Sequence, residues 1–311
     1  GTNPSLLEAL AATHLNLLLD VGFNREVAED SALYWSKEEG SLRHLMQRTE
    51  EMNYAEIEAF DCSSTERIKE HYSWNRIVSS YESLFLDKVT QINHVHKIAM
   101  IGHKRIPSRE GGVEIVVKEL AVRMVQRGKE VYAYNRKRKG ETFDNEYRGI
   151  HLIETGTINR KGLEAFFYSV NATFRALFGK YDVIHYHAEG PCAMIWLPHL
   201  FRIPTVATIH GLDWQRAKWG GFASWYIKLG ERAAVKYADR IIVLSQNVQQ
   251  YFLETYGRQT DYIANGIELM QCKEANLITK NFGVVKDEYI LFLGRIVPEK
   301  GLHYLIEALG Q

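Results

Sequence analysis

From residue 96 onward short apolar runs alternate with longer amphipathic ones, and this alternation constrains the fold more than any other feature of the chain. The runs are "KIAMIG", "EVYAYN", "DVIHYH", "TVATIH", "RIIVLS" and "DYIANG". Each is too short for a helix and reads as a strand buried on both faces. The helical segment after the first strand carries Val113, Val116, Val117, Leu120 and Met124 on one stripe, with Gly128 past its end as a cap. Strands that alternate with helices need right-handed crossovers, and hence a parallel sheet covered on both faces. The expected fold class is α/β, with a doubly wound parallel-sheet domain over residues 96–269.

The flanks differ. At 311 residues there is room for about two domains. Residues 1–88 read as mostly helical. Asn3 can cap a helix with Pro4 at its first position, running through "SLLEALAA". "LNLLLD" reads as a short buried strand, two longer helices follow near 40–71 and 74–87, and residues 89–95 read as a connector. After "NGIE" (265–268) comes one more strand at 289–293. A helix then starts near Pro298, with Leu302, Leu305, Ile306 and Leu309 on one face. One strand and one helix cannot bury a core alone. The spare material is residues 1–88, so the two ends are expected to meet, within one molecule or between neighbours.

Several function classes are disfavoured. Lys+Arg and Asp+Glu balance at 38 each, which leaves no bulk charge to hold nucleic acid. The three cysteines, Cys62, Cys192 and Cys272, make neither a disulfide framework nor a zinc site, and a reducing, cytoplasmic setting is expected. No apolar run approaches the roughly 20 residues that span a bilayer, and no signal pattern opens the chain, so membrane contact is expected to be peripheral, at the inner face. There is no Gly-x-Gly, hence neither the dinucleotide fingerprint nor the triphosphate P-loop, which argues against a dehydrogenase or a kinase.

In an open parallel sheet ligands bind beyond the carboxyl ends of the strands. Gly111 and Gly112 precede the first long helix of this domain, where backbone amides and the helix dipole can approach an anion, or simply form a turn. His185, His187 and His210 end successive strands and can donate to phosphate or sugar oxygens, although a third metal ligand is missing. "HGLDWQRAKWGGFASWY" (210–226) mixes Trp214, Trp219, Trp225 and Tyr226 with Arg216 and Lys218. Such a mixture suits a sugar face, a lipid diphosphate or a membrane interface; helix packing is the plainer reading of Trp225 and Tyr226. The loop "NRKRKG" (135–140) is a solvated turn or a contact to an anionic membrane. In "GRIVPEKG", Arg295 leaves a strand at its carboxyl end and Lys300 lies in the next helical turn, so a diphosphate beyond the strand would meet a guanidinium, an ammonium and a helix dipole together; a capped surface turn is the alternative.

The order of "EGGVE", "DVIHYHAEGP", "THGLDW", "IVLSQNV", "IANGIE" and "LFLGRIVPEKG" resembles family 4 of the retaining glycosyltransferases, of the GT-B fold. It looks most like rhamnosyltransferase-like members of bacterial capsule and cell-wall polysaccharide synthesis. The resemblance covers residues 96–311 continuously. It implies an acceptor domain over 96–269 and the first strand and helix of an incomplete, Rossmann-like donor domain over 270–311. By resemblance, Arg295 and Lys300 grip the donor diphosphate, Gly111 and Gly112 belong to a loop facing it, His210 lies near the transferring sugar, and Asn265 and Gly266 match the hinge between domains. Asp213 can position or deprotonate an acceptor hydroxyl, although a loop aspartate near a glycine is more often a turn former. His187, Trp214, Arg216, Lys218 and Trp219 are expected to hold the acceptor.

The resemblance resumes, out of order, at the other end. Residues 1–88 look like the later part of a donor domain with its closing helices. Glu8 matches an acid that receives the ribose hydroxyls, and Asn24, Arg25 and Glu26 match a loop near the nucleotide. Trp74 matches the anchor of a helix that crosses back to the first domain. A permutation or a splice of two transferases would give this order. About two strand–helix units and the first acid of a Glu-x7-Glu motif are expected to be missing. The implied activity is transfer of a sugar, rhamnose among the candidates, from a nucleotide diphosphate to a glycan or lipid-linked acceptor with retention. No cofactor or metal is expected, and there is no Asp-x-Asp. The alternative is a non-catalytic, incomplete binding module that pairs with a second chain; homo-oligomers or segment exchange would fit either reading.

Overall fold

The computed structural model describes residues 3–88, 95–108, 111–137, 140, 144–158, 163–212, 214, 221–269, 276–285, 289–294, 296 and 301–310. They form two compact units, Trp74–Asn265 and Thr2–Ser73 with Gly266–Gln311.

The smaller unit begins with α1 (Pro4–Ala12), β1 (Leu17–Leu19), α2 (Gly22–Ala28), β2 (Leu33–Trp35), α3 (Ser41–Glu50) and α4 (Tyr54–Arg67). Asn3 caps α1 as expected, its Oδ1 accepting the Ser5 N–H at 3.3 Å. β1 pairs in parallel with β2, Leu17 against Leu33 and Leu19 against Trp35. It is half-buried rather than buried. The helix expected over 40–71 is broken near 51–53, because Asn53 starts α4 with a capping box. Asn53 Oδ1 accepts the Glu56 N–H at 3.1 Å, and Glu56 Oε2 accepts the Asn53 N–H at 2.9 Å.

α5 (Trp74–Lys88) packs with the larger unit. The Arg123 guanidinium lies 5.0 Å over the Trp74 ring. Arg127 donates to Asn75 O at 3.0 Å, Ser79 Oγ at 2.9 Å and Glu82 Oε2 at 2.6 Å. Then follow β3 (Lys97–Ile101), α6 (Gly112–Gln126), β4 (Glu130–Arg136), β5 (Glu146–Tyr147), β6 (Ile150–Thr155), α7 (Glu164–Ala176), β7 (Val183–His187), α8 (Glu189–Cys192), α9 (Trp196–Leu200), β8 (Thr205–Ile209), α10 (Gly221–Tyr237), β9 (Arg240–Val243), α11 (Gln246–Tyr256) and β10 (Asp261–Tyr262). The sheet order is β10-β9-β8-β7-β3-β4-β6-β5, parallel except for β5. The strand order reverses between β3 and β7, where a doubly wound sheet opens a crevice for a ligand.

Side-chain alternation splits the core. Ala99, Ile101, Ile184, Tyr186 and Ala207 face α7 and α10. The opposite face of β7 presents His185, whose ring packs 5.7 Å from Tyr81 and 5.6 Å from Phe85 of α5. The α6 stripe is as expected: Val116, Val117, Leu120 and Met124 are buried, and Gly128 takes φ +82° past the helix end.

Beyond Asn265 the chain returns to the smaller unit through α12 (Asn276–Phe282) and α13 (Leu302–Gly310). There Ile267 N–H donates to Tyr72 O at 2.8 Å. The strand expected at 289–293 does not form, and Ile290, Leu291 and Leu293 are exposed. A strand needs a neighbouring edge to take its hydrogen bonds, and among the described residues none pairs with this segment. α13 packs on β2 and α3: the Tyr304 ring meets Trp35 edge-on at 5.4 Å, and Arg43 Nε donates to Ala308 O at 3.4 Å. Tyr304, Leu305 and Ala308 face that core, whereas Ile306 and Leu309 of the expected stripe are exposed. The two ends of the chain therefore fold together in one molecule.

Candidate functional site

The carboxyl ends of β3 and β7 touch. Gly102 follows β3 with φ +124°, and a Cβ there would lie 2.0 Å from His187 O. Only glycine permits this approach. The next residue, His103, is buried, with Nε2 3.0 Å from Asn135 Oδ1. Asn135 Oδ1 also accepts the Ile106 N–H at 2.9 Å, and Asn135 Nδ2 donates to Ile106 O at 2.7 Å, so the loop after β3 is clamped to β4. Lys104 N–H donates to Glu114 Oε1 at 3.1 Å. Glu114 is buried in the first turn of α6, and a Cβ on Gly111 would lie 2.3 Å from its Oε2. The chain thus sets one of its own carboxylates beside the glycine turn expected to face a phosphate, where it offsets part of the helix-dipole field.

At β7 the three histidines separate into two roles. His185 is a core residue, not a rim residue: its Nε2 lies 2.7 Å from Thr208 Oγ1. His187 is fully buried, its ring 4.0 Å from that of His185. Its Nδ1 lies 3.3 Å from Nε2 of the half-buried His210 beyond β8. His187 Nε2 has no partner among the described residues. A buried imidazole loses less by leaving an acceptor bare than an N–H, so we assign the proton to His187 Nδ1, donating to His210 Nε2. His210 then carries its own proton on Nδ1. Burial drives the His103 pKa down to about 4 and that of His185 to about 3, and holds His187 well below the ordinary histidine value. His187 therefore orients His210 from beneath and is not exposed to an acceptor.

Ala188, which leaves β7, has φ +70° and ψ 158°. This is glycine territory, costing about 1–3 kcal/mol for alanine. The turn is held by Ala188 N–H donating to Thr208 O at 2.9 Å and by Gly230 of α10, where a Cβ would lie 1.9 Å from Glu189 O. The strain sits between His187 and α8, at the mouth of the crevice.

Trp214 is half-buried and turned inward. Its Nε1–H donates to Glu231 Oε2 at 2.9 Å, and Lys228 Nζ lies 3.6 Å over its ring. Glu231 has no exposed surface and accepts from Tyr251 OH at 2.8 Å and from Tyr256 OH, with Lys228 Nζ at 3.5 Å. Desolvation raises the Tyr251 pKa to about 12 and that of Tyr256 further. The Trp214 indole N–H is thus committed to the protein, and the expected acceptor contact reduces to its ring. Trp225 is exposed and lines, with Trp214, Lys228 and Arg232, a cavity of about 270 Å³. Tyr226 is buried, as its packing reading expects. At the described start of the basic loop, Arg136 Nη1 lies 3.6 Å from Glu164 and the exposed Lys137 places Nζ 3.1 Å from Glu154.

Asp213, Arg216, Lys218, Trp219, Arg295 and Lys300 lie outside the described residues. Glu8 and Asn24–Glu26 belong to the smaller unit. Glu8 is exposed on α1. Asn24 Nδ2 donates to Leu19 O at 2.8 Å, Arg25 pairs with Asp20 and lies 4.3 Å over the Tyr34 ring, and the Glu26 carbonyl accepts from Arg67 at 2.8 Å. Among the described residues no His, Cys, Asp and Glu cluster could hold a metal ion, and no helix is long and apolar enough to cross a membrane.

Residues 110–271 match the family model described as Glycosyltransferase Family 4. The chain is 27% identical over 233 residues to an uncharacterized glycosyltransferase of Methanocaldococcus jannaschii, covering 68% of this chain and 59% of that protein. It is 29% identical over 131 residues to an uncharacterized glycosyltransferase of Bacillus subtilis, covering 41% of this chain and 35% of that protein. It therefore spans less than two thirds of either relative. Among solved structures it is similar to sucrose-phosphate synthase from Thermosynechococcus elongatus, with a TM-score of 0.54, 22% identity and coverage of 69% of this chain and 59% of that one. It is also similar to Anabaena HepE in complex with UDP and glucose, with a TM-score of 0.50, 18% identity and coverage of 70% and 58%. The fold is of the GT-B-like α/β class, with a parallel sheet at its core.

Proposed function

The chain belongs to Glycosyltransferase Family 4, and from that premise we propose that it transfers a sugar from a nucleoside diphosphate to a hydroxyl acceptor held over the carboxyl ends of β3 and β7. The observation that carries the reading is the His187–His210 pair at the point where the strand order reverses. A buried, neutral imidazole there fixes the ring of a second one at the rim.

In the proposed reaction the bond from the anomeric carbon to the diphosphate breaks ahead of acceptor attack, and the diphosphate gains negative charge as it leaves. Fixed cations and helix N-termini aimed at that charge lower the barrier most. Arg295, Lys300 and the amides near Gly111 and Gly112 are the groups we assign to it, with no metal or cofactor. Because Glu114 already sits beside the α6 N-terminus, the two cations carry more of this task than the helix does. His210 is assigned to the transferring sugar, Asp213 to the acceptor hydroxyl, and the Trp214 ring with Arg216, Lys218 and Trp219 to the acceptor. Glu8 and Asn24–Glu26 are assigned to the nucleotide. Retention at the anomeric carbon, a rhamnosyl donor and a glycan or lipid-linked acceptor of a bacterial surface polysaccharide are the finer form of the proposal, supported by the motif order.

Turnover tests it. HepE was solved with UDP and glucose, so a panel of uridine and deoxythymidine diphosphate sugars is the first choice. Release of nucleoside diphosphate that depends on acceptor is expected, and His210→Ala should slow it by about 100-fold. Release that is the same in His210→Ala would refute the assignment.

A further inference from the structure

We propose that the cavity beside the first half of α10 binds an acidic sugar, a ring bearing a carboxylate, as part of the acceptor. The inference rests on the sugar-transfer reading for the choice of a sugar and on the cavity itself for the acid. Its walls are Trp214 and one stripe of α10: Ser224, Trp225, Lys228, Leu229 and Arg232. A volume of about 270 Å³ lies just under the usual range for drug-sized ligands and suits a single sugar ring. Trp225 is 60% exposed and Leu229 40%, so an apolar wall stands open to a ligand. An indole face can cover the C–H side of a sugar ring and leave its hydroxyls free to hydrogen-bond. Trp214 is held in place: its Nε1–H donates to Glu231, and Ser224 Oγ donates to its carbonyl oxygen at 3.1 Å. A wall fixed in advance loses little freedom on binding. Trp214 also follows His210 by four residues, which keeps the two Cα atoms within about 14 Å. The cavity is therefore near the residue assigned to the transferring sugar.

Charge sets the class of sugar. Among the described residues no acid lines the cavity. Glu231, the acid of α10, is buried and lies 3.5 Å from Lys228 Nζ, which also donates to Tyr251 OH at 3.1 Å. Glu254, the acid of α11, accepts from Gln250 Nε2 at 2.7 Å, and Glu189 of α8 is buried. Asp213 lies outside the described residues, in a loop whose sequence also carries Arg216 and Lys218. Lys228 is thus spent inside the protein. Arg232 is exposed, and among the described residues no acid pairs with it. Its planar fork matches one carboxylate through two parallel N–H···O bonds. A phosphomonoester would bring nearly two negative charges to this one guanidinium, so a carboxylate is the closer match.

Saturation-transfer NMR titration of the whole chain tests the proposal. The probes are methyl glucuronide and methyl galacturonide, with methyl glucoside and methyl galactoside as neutral controls and glucose-6-phosphate as the phosphate control. At least one uronide should bind about tenfold or more tightly than its neutral counterpart and than glucose-6-phosphate. Arg232→Gln should bring that uronide down to the neutral level, and Trp225→Ala should weaken charged and neutral sugars alike. Lys236→Gln, which removes another exposed cation of α10, should bind as the unsubstituted chain does. UDP titrated into the same samples separates this inference from the reading it deepens. Uronide binding that Arg232→Gln removes supports the cavity assignment whether or not UDP binds, and a failure of UDP counts against sugar transfer alone. Absence of uronide binding, equal binding of charged and neutral sugars, tighter binding of glucose-6-phosphate, or uronide binding indifferent to Arg232→Gln would overturn the assignment and leave sugar transfer standing wherever UDP binds.

Discussion

His187 Nδ1 lies 3.3 Å from His210 Nε2, which couples an imidazole with no exposed surface to one at the rim of the sheet. If the buried ring orients the outer one, His187→Ala should lower kcat about tenfold or more while leaving nucleotide affinity nearly unchanged. His187→Asn, which can still donate toward His210, should recover part of the loss. Steady-state kinetics with separate determination of KM and kcat checks this; a change confined to KM would contradict it.

The buried histidines make stability depend on pH. Unfolded, each titrates near 6.5; folded, burial holds His103 at about 4, His185 at about 3 and His187 well below 6.5. Below about pH 6.5 the unfolded chain binds more protons than the folded one, so stability falls as pH falls, by on the order of 1.4 kcal/mol per pH unit for each of His103 and His185 down to about pH 4, with His187 acting in the same direction. Above about pH 7 their contribution is constant. Urea midpoints across this range measure the slope, and His185→Asn should remove one histidine's share. A midpoint indifferent to pH between 7 and 5 would contradict the burial of all three.

Glu231 gathers the Trp214 indole, two tyrosine hydroxyls and Lys228. Glu231→Ala leaves these half-buried donors without their shared acceptor and should cost about 1–3 kcal/mol. Chemical denaturation gives the cost, and a shift in tryptophan emission that is absent in the Trp214→Phe background identifies the contact.

The doubly wound half was legible in the chain because its strands, such as Ile98–Ile101 and Ile241–Val243, carry continuous apolar runs. β6 escaped because His151 and Glu154 interrupt "IHLIET", and a strand near the sheet's edge tolerates such polar positions. β2 is three residues long, too short for any period. The run "YILFL" has a strand's composition yet pairs with no strand among the described residues, since composition reports burial and not the presence of an edge. His185 reads like His187 in a string of letters; only the packing of Tyr81 and Phe85 places it in the core. Glu231 follows Gly230 and sits among Ile227 and Ala234 on the buried stripe of α10, and a lone acid at an apolar helical position was the one signal that could have revealed the hub.

The joining of the two chain ends rests on Tyr304 against Trp35 and on Ala308 against Arg43. Tyr304→Ala should destabilise the smaller unit by about 1–2 kcal/mol. Hydrogen exchange should then lose protection in α3 while β3 and β7 keep theirs. Unchanged protection in α3 would contradict the intramolecular packing of α13.

Sugar transfer of the proposed kind requires that a nucleoside diphosphate be held by the cations of "GRIVPEKG". Calorimetric titration of UDP and deoxythymidine diphosphate into the whole chain, and into Arg295→Ala with Lys300→Ala, measures this directly. The unsubstituted chain should bind, and binding should weaken about 100-fold or more in the double variant. Equal affinity in the two proteins, or no affinity in either, would contradict it.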